Sequence, residues 1–293
     1  MGPGVDGDQG LRKAHLHGRP RLQLSLLLAG PLGWLGIAYL GSLAVLFVAA
    51  FWHLDSFSGE VVRGFSFDNF ETLWNGDVYR TIALRTFLIA AAVTVTDAIV
   101  AFPIAFFMAK VASARTRGLL VVAVLMPLWS SYLVKVYAWR TILAEDGILN
   151  WALEPAGLKG PGFGNVATWL VFSYLWLPYM IIPVYAGLER IPDSLLDASG
   201  DLGGKPWITL RRVVLPLALP ALVAGSIFTF SLTLGDYITP GLVSSTQFIG
   251  NVVYSNVGVA NNLPLAAAFA TVPVVVMVLY LLGARRLGAF EQL

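Results

Sequence analysis

Ionisable residues make up only 12% of this 293-residue chain, so each one inside an apolar run needs a physical reason to be there. Asp97 interrupts the apolar run 86–109, and Asp236 directly follows the run 213–235. Aromatic rings keep them company. Trp129, Tyr132, Tyr137 and Trp139 lie in the run 118–139, Trp176 and Tyr179 in the run 167–188, and Tyr237 beside Asp236. Carboxylates set among aromatic faces suit a cation, because a ring face adds about 0.5–2 kcal/mol of cation–π attraction. Ionisable groups inside a bilayer face the bundle interior and mark solute or ion pathways. The pathway candidates are therefore Asp97, Tyr132, Trp139, Trp176, Tyr179, Asp236 and Tyr237. Competing roles are plain: Tyr and Trp near span ends anchor the membrane–water interface, and Asp97 is placed to pair with Lys135 or cap a neighbouring helix.

Other chemistries are excluded by composition. Cys is absent, which removes disulfides, Cys-based zinc sites and thiol nucleophiles. The three His fall at 15, 17 and 53, the first two in a basic tail that reads as solvated charge. A net charge of +2 without a basic stripe gives no nucleic-acid footprint. No Gly-x-x-x-x-Gly-Lys-Ser/Thr phosphate loop occurs, since the one Gly-Lys pair, Gly204-Lys205, is followed by Pro206. The expectation is a chain with no ATP site or metal of its own.

The segment 189–216 differs from every other connection. Pro192-Asp193-Ser194 is a helix-start signal. Leu195, Ala198 and Leu202 then fall at i, i+3 and i+7, one apolar stripe. Gly203-Gly204 ends that helix, and Pro206 opens a second short one with Trp207, Leu210 and Val214 at the same spacing. Such a hairpin can lie flat on a membrane. Asp193, Asp197 and Asp201, however, would repel an anionic leaflet. An acidic, partly apolar knob fits a protein groove better.

These groups have to be positioned by membrane helices. Hydrophobic residues reach 57% and the mean hydropathy is +0.74, against about half apolar and roughly 25% charged in soluble domains. A span needs about 20 apolar residues, and six runs qualify: 24–50, 86–109, 118–139, 167–188, 213–235 and 265–283. Arg12, Lys13, Arg19 and Arg21 precede the first run as they would in a signal peptide. That run is too long for a signal sequence, and no clear cleavage site follows it, so it reads as an uncleaved span. Glycines 30, 33, 36 and 41 within it offer a close helix approach. With the N-terminus inside, thirteen of the nineteen Lys and Arg lie in the tail, 110–117, 189–212 and the C-terminus. Positive residues favour the cytoplasm, so both termini are expected there. The expected organisation is a basic tail 1–23, a first span 24–50, an outer loop 51–83, a core 84–286 containing five spans, and a short tail 287–293. The fold class is an all-α polytopic membrane protein.

The loop resembles the EAA motif of binding-protein-dependent ABC importer permeases: E-A-A, three residues, G, nine residues, I-x-L-P. Asp197-Ala198-Ser199, Gly203 and Val213-Val214-Leu215-Pro216 occupy those places with both spacings kept. Asp for Glu and Ser for the second Ala are departures, conservative in charge and size. The resemblance implies a MetI-like fold of six helices and a coupling helix, Leu195 to Leu202, that inserts in a groove of an ATPase subunit. The residues it carries over are Leu195, Leu196, Asp197, Ala198, Ser199, Gly200, Asp201, Leu202, Gly203, Val213, Leu215 and Pro216. It also implies two ATPase subunits that hold ATP and Mg, a second permease subunit in a heterodimer, an extracytoplasmic solute-binding protein, and a place in a bacterial inner membrane.

Over roughly residues 65–286 the chain further resembles the spermidine/putrescine permease branch. The similarity rests on Phe65-Ser-Phe-Asp-Asn-Phe70, Phe102-Pro-Ile-Ala-Phe-Phe-Met-Ala-Lys110, Pro127-Leu-Trp-Ser-Ser-Tyr-Leu-Val-Lys-Val-Tyr-Ala-Trp139, Leu177-Pro-Tyr-Met-Ile-Ile-Pro-Val-Tyr185, Gly235-Asp-Tyr-Ile-Thr-Pro240 and Ile249-Gly-Asn-Val-Val253. A polyamine is then the expected solute. Sulfate, iron or an amino-acid-like solute on the same fold stays open. So does a secondary transporter, although no inverted repeat supports it, and a membrane enzyme, although no cluster of His or carboxylates at one depth supports it.

Overall fold

A computed structural model describes residues 20–55 and 57–286. The tail 1–23 lies almost wholly outside the described residues, and 287–293 does so entirely. The first apolar run forms α1 (Pro20–Trp34), a π-turn (Leu35–Leu40) and α2 (Gly41–Ala49). A Cβ built at Gly30, Gly33 or Gly36 meets nothing within 4 Å, so among the described residues no other helix packs on those glycines. Leu27, Trp34 and Ile37 are likewise exposed.

A two-stranded hairpin, β1 (His53–Leu54) with β2 (Val61–Val62), and α3 (Asp68–Asn75) follow. Asn69 fastens this loop by donating from Nδ2 to the carbonyls of Ala50 and Trp52 at 3.0 and 2.6 Å. The second span begins earlier than its apolar run predicts. It comprises α4 (Asp77–Phe106) and a π-turn (Phe107–Val111), 35 residues in all. At about 1.5 Å per residue such a rod exceeds the roughly 30 Å hydrocarbon thickness.

The third run is not one straight helix. It divides into α5 (Ala114–Trp129) and α6 (Tyr132–Leu143), which meet at 92°. Ser130 and Ser131 are extended there (ψ 150° and 133°). The carbonyl of Pro127 is satisfied by side chains instead, by Ser130 Oγ at 2.9 Å and Lys135 Nζ at 3.1 Å. Irregular backbone at membrane depth is tolerated only where its polar groups find such partners. Lys135, expected as a possible partner for Asp97, is committed to this break.

After α7 (Ile148–Leu153) come the fourth span, α8 (Asn165–Glu189), and the loop helix α9 (Asp193–Asp201). The second short helix expected in the loop is not separate. Instead, α10 (Pro206–Thr209) runs through a π-turn (Leu210–Val214) into α11 (Leu215–Gly235), a continuous rod that forms the fifth span. The outer loop carries α12 (Ile238–Val243) and α13 (Ile249–Gly258), and α14 (Leu263–Arg286) is the sixth span. Among the described residues, five helices are long and apolar enough to cross a bilayer, six with the bent pair taken as one span.

The bundle is organised around α8, which packs along both α4 and α11. The approach of α8 to α11 is close enough that a Cβ at Gly187 would lie 2.3 Å from that of Ala221. Small residues serve that purpose in membranes, where tight packing replaces the hydrophobic effect. One buried cluster joins Ala101, Ala105, Met108, Met180, Val184, Leu188 and Ala218 near α9, and another joins Val93, Val136, Val171, Phe172, Leu175 and Trp176 toward the opposite end. Several hydroxyls within the spans bond their own helix, as Thr86, Thr94 and Thr233 do to carbonyls four residues back.

Candidate functional site

Two places collect the candidate residues, one at each end of α8. The inner end is the one that carries Lys110, Arg117 and α9. Pro192 (ψ 137°) turns the chain out of α8 and into α9. The helix ends in a Schellman turn, with Gly203 N–H bonded to Gly200 O and Gly204 N–H to Ser199 O, both at 2.8 Å. Gly203 sits at φ +77°, a conformation that suits glycine. Ser199 Oγ and Thr209 Oγ1, 2.8 Å apart, pin α9 to α10.

The two faces of α9 differ. Leu196 packs inward against the Met108–Leu188 cluster, and Ser199 is half-buried. Leu195, Ala198 and Leu202 point out, with Leu202 90% exposed. Asp197, Gly200 and Asp201 are also exposed. The stripe foreseen from spacing is therefore exposed. Val213 lies in the π-turn, half-buried, while Leu215 and Pro216 open α11 with exposed side chains. Val214 between them is buried. A shallow pocket of about 310 Å³, lined by Phe106, Leu196, Gly200, Pro206 and Leu210 among others, separates α9 from the ends of the spans.

At the outer end Asp236 is held by several donors. The amides of Ile238 and Thr239 donate to Oδ1 at 2.8 and 3.0 Å, which makes it the cap of α12. Thr239 Oγ1 and Tyr132 Oη donate to Oδ2. The ring of Tyr132 stacks on Trp176 at 6.0 Å, and Trp176 in turn meets Tyr179 at 5.9 Å, edge to face. The sharp bend before Tyr132 is what turns this ring toward α8 and α12. Deeper on α4, Asp97 is 1% exposed, and neither carboxylate oxygen has a hydrogen-bond partner. The Ser173 hydroxyl on α8, one turn from Trp176, faces it. The Ser173 hydroxyl and Trp176 Nε1 are also buried without partners.

Asp236, Tyr132, Trp176 and Tyr179 are thus brought together, and Asp97 of α4 faces Ser173 of α8 one turn toward the outer end from Trp176. Two candidates face elsewhere. Trp139 packs on Tyr174 at 5.4 Å, and Tyr237 stacks on Tyr254 at 4.8 Å. Trp129 and Tyr137 point away from the bundle. Sequence reasoning missed Ser173 and Thr239, whose hydroxyls acquire meaning only through partners on other helices. Among the described residues, no group of three or more His, Asp or Glu side chains is placed to hold a metal ion.

The match with known proteins decides the family. A family model described as the binding-protein-dependent transport system inner membrane component matches residues 92–289, more than half of the chain. The chain belongs to that family. This permease is 48% identical over 290 residues to the inner membrane ABC transporter permease protein YdcU of Escherichia coli (strain K12), a match covering 94% of this chain and 92% of that protein. It is 28% identical over 218 residues to the spermidine/putrescine transport system permease protein PotB of Haemophilus influenzae (strain ATCC 51907 / DSM 11121 / KW20 / Rd), covering 72% and 76% of the two chains. Its fold is similar to a chain of a bacterial alginate ABC transporter in complex with an alginate pentasaccharide-bound periplasmic protein. That TM-score is 0.70 at 17% identity, over 91% of this chain and 94% of the other. It is also similar to a chain of the MetNI methionine ABC transporter, with TM-score 0.58 at 18% identity over 74% and 95%. The permease is a multi-pass inner-membrane ABC importer component, as its composition and loop motif lead one to expect.

Proposed function

We propose that this permease imports a polyamine such as spermidine or putrescine, and that α9 is the helix through which separate ATPase subunits drive it. The observation that carries the coupling assignment is the outward stripe of Leu195, Ala198 and Leu202. Apolar side chains kept in water beside three aspartates have little use except against a protein groove. ATP and Mg are then held by the ATPase pair, and this chain supplies no phosphate loop. A second permease subunit, in a heterodimer, completes the path and covers the bare glycine face of α1 and α2. An extracytoplasmic binding protein delivers the solute at the outer end.

The polyamine assignment rests on the relatedness to PotB permeases and on the chemistry of the α4–α8 seam. A flexible polycation would meet Asp236 first, and then, at one level of the bundle, the carboxylate of Asp97 and the rings of Tyr132 and Trp176. Asp97 is the stronger of the two carboxylates for that purpose, because Asp236 is already engaged in capping α12. A carboxylate is costly in an apolar interior unless it is paired, so an arriving ammonium and Asp97 would stabilise each other's charge. Trp139 and Tyr237 have a smaller part, since each is stacked on a ring away from the seam.

Equilibrium binding of spermidine, putrescine, sulfate and iron to the cognate binding protein tests the solute, followed by uptake with the reconstituted importer. Binding and uptake of either polyamine are expected. A binding protein that ignores both polyamines and takes sulfate or iron would overturn the solute and leave the coupling assignment standing.

A further inference from the structure

We propose that Lys110 is a positioning residue of the transport cycle: one buried ammonium straps the start of α9 to the end of the second span. The inference rests on α9 being the coupling helix and adds the route by which its movement enters the bundle. Lys110 ends an apolar run, and its side chain is only 8% exposed. Its Nζ donates to the main-chain carbonyl of Ile191 at 2.5 Å and to Asp193 Oδ1 at 2.7 Å. Ile191 is buried in the non-helical link between α8 and α9, and Asp193 is the first residue of α9. One cation therefore holds both sides of the bend from which α9 projects.

Arg117 at the start of α5 fastens the same corner. Its Nε and Nη2 donate to the carbonyls of Met108 and Ala109 at 3.0 and 3.2 Å, in the π-turn that closes the second span. The last carbonyls of a helix lack partners within it, and here Arg117 supplies them. Its Nη1 approaches Glu189 Oε1 at 3.5 Å, and Tyr185 Oη donates to the same oxygen at 3.0 Å. The inner ends of α4, α5 and α8 thus meet α9 through two cations.

The two contacts of Lys110 are not equal. Asp193 is 79% exposed, and an exposed ion pair contributes little. The carbonyl of Ile191 cannot move without the chain, so the bond to it is the strap. Among the described residues, α9 is also tied to its own hairpin through Ser199 and Thr209, and to the core through Leu196. A pull on Leu195 and Leu202 reaches the fifth span along the covalent rod from α10 to α11. It reaches the second span through Lys110.

The test uses the whole importer with its binding protein, reconstituted in liposomes with radiolabelled putrescine. The readouts are putrescine imported per ATP hydrolysed and the amount of ATPase retained on the permease. For Lys110→Met the expected result is a fall of about tenfold in import per ATP with ATPase retention unchanged. Lys110→Arg should restore at least half, because it returns a cationic donor. A purely structural role would lower retention and import together, leaving their ratio as in the native complex; that result, or native coupling in Lys110→Met, overturns the strap.

A second measurement does not depend on the solute. Nitroxides at Val111 and Trp207, both exposed, should hold one distance through ATP–vanadate trapping in the native chain and a broadened one in Lys110→Met. Should that variant not accumulate, Lys110→Gln is measured the same way. An unchanged, narrow distance in either variant counts against the strap. The coupling assignment of α9 fails separately, if Leu202→Ala leaves ATPase retention untouched.

Discussion

Leu202→Ala and Leu196→Ala differ by six residues on one short helix and should fail in opposite ways. Leu202 is 90% exposed, while Leu196 is half-buried against the cluster that contains Met108, Val184 and Leu188. Truncating Leu202 removes no contact within the chain, so its own stability should change by no more than about 0.5 kcal/mol. Against an ATPase groove, the same truncation removes apolar area worth about 2 kcal/mol, or roughly 30-fold in affinity. Truncating Leu196 should instead cost the fold about 2 kcal/mol, the lower end for a core leucine. The assay pairs a titration of labelled ATPase onto the permease in nanodiscs with thermal unfolding of the permease alone. The reasoning is refuted by Leu202→Ala with native ATPase affinity. It is equally refuted by a loss of permease stability in Leu202→Ala that matches Leu196→Ala.

Three further outcomes are expected. Asp97→Asn should leave the fold intact and lower uptake of a dication tenfold or more, read as initial rate against putrescine concentration; unchanged uptake removes Asp97 from the path. Tyr132→Phe deletes one donor to Asp236 while keeping the ring on Trp176, so uptake should fall only a few-fold, whereas Tyr132→Ala should abolish it. Gly203→Ala strains a backbone at φ +77° by about 1 kcal/mol, so hydrogen exchange in the last turn of α9 should quicken while the spans stay protected.

Much of this was legible because the bilayer imposes simple rules. Apolar runs of the right length became helices, with one exception, and Gly203 ended α9 where two glycines follow a periodic stripe. The exception is instructive. Hydropathy averages over residues 118–139 and does not register that a proline carbonyl within them can be satisfied by Ser130 and Lys135, which permits a 92° bend. The missed continuity from α10 to α11 has the same origin. Pro206 announces a helix start, and a π-turn then carries that helix into the fifth span without a break. The partnership of Lys110 with Ile191 was beyond reach, because one of its members is a main-chain oxygen 81 residues away.

The same two helices carry both ends of the machine. On α4 and its closing π-turn, Asp97 and Lys110 are thirteen residues apart; on α8, Trp176 and Glu189 are thirteen apart. At about 1.5 Å per residue, each pair spans roughly 20 Å. Prolines interrupt both intervals, Pro103 on α4 and Pro178 and Pro183 on α8, and each removes one rung of the helical ladder. Helices joined at the inner end by Lys110 and Arg117, and hinged above that joint, can tilt their inner thirds with α9 while the outer aromatic cluster stays packed. The proposed path would then open by shear along the α4–α8 seam, where Asp97 faces Ser173. Pro183→Ala restores the missing amide and should stiffen α8, slowing ATP-driven uptake several-fold without reducing ATPase retention. Uptake at the native rate in Pro183→Ala would place the hinge elsewhere and leave Lys110 as a strap between rigid rods.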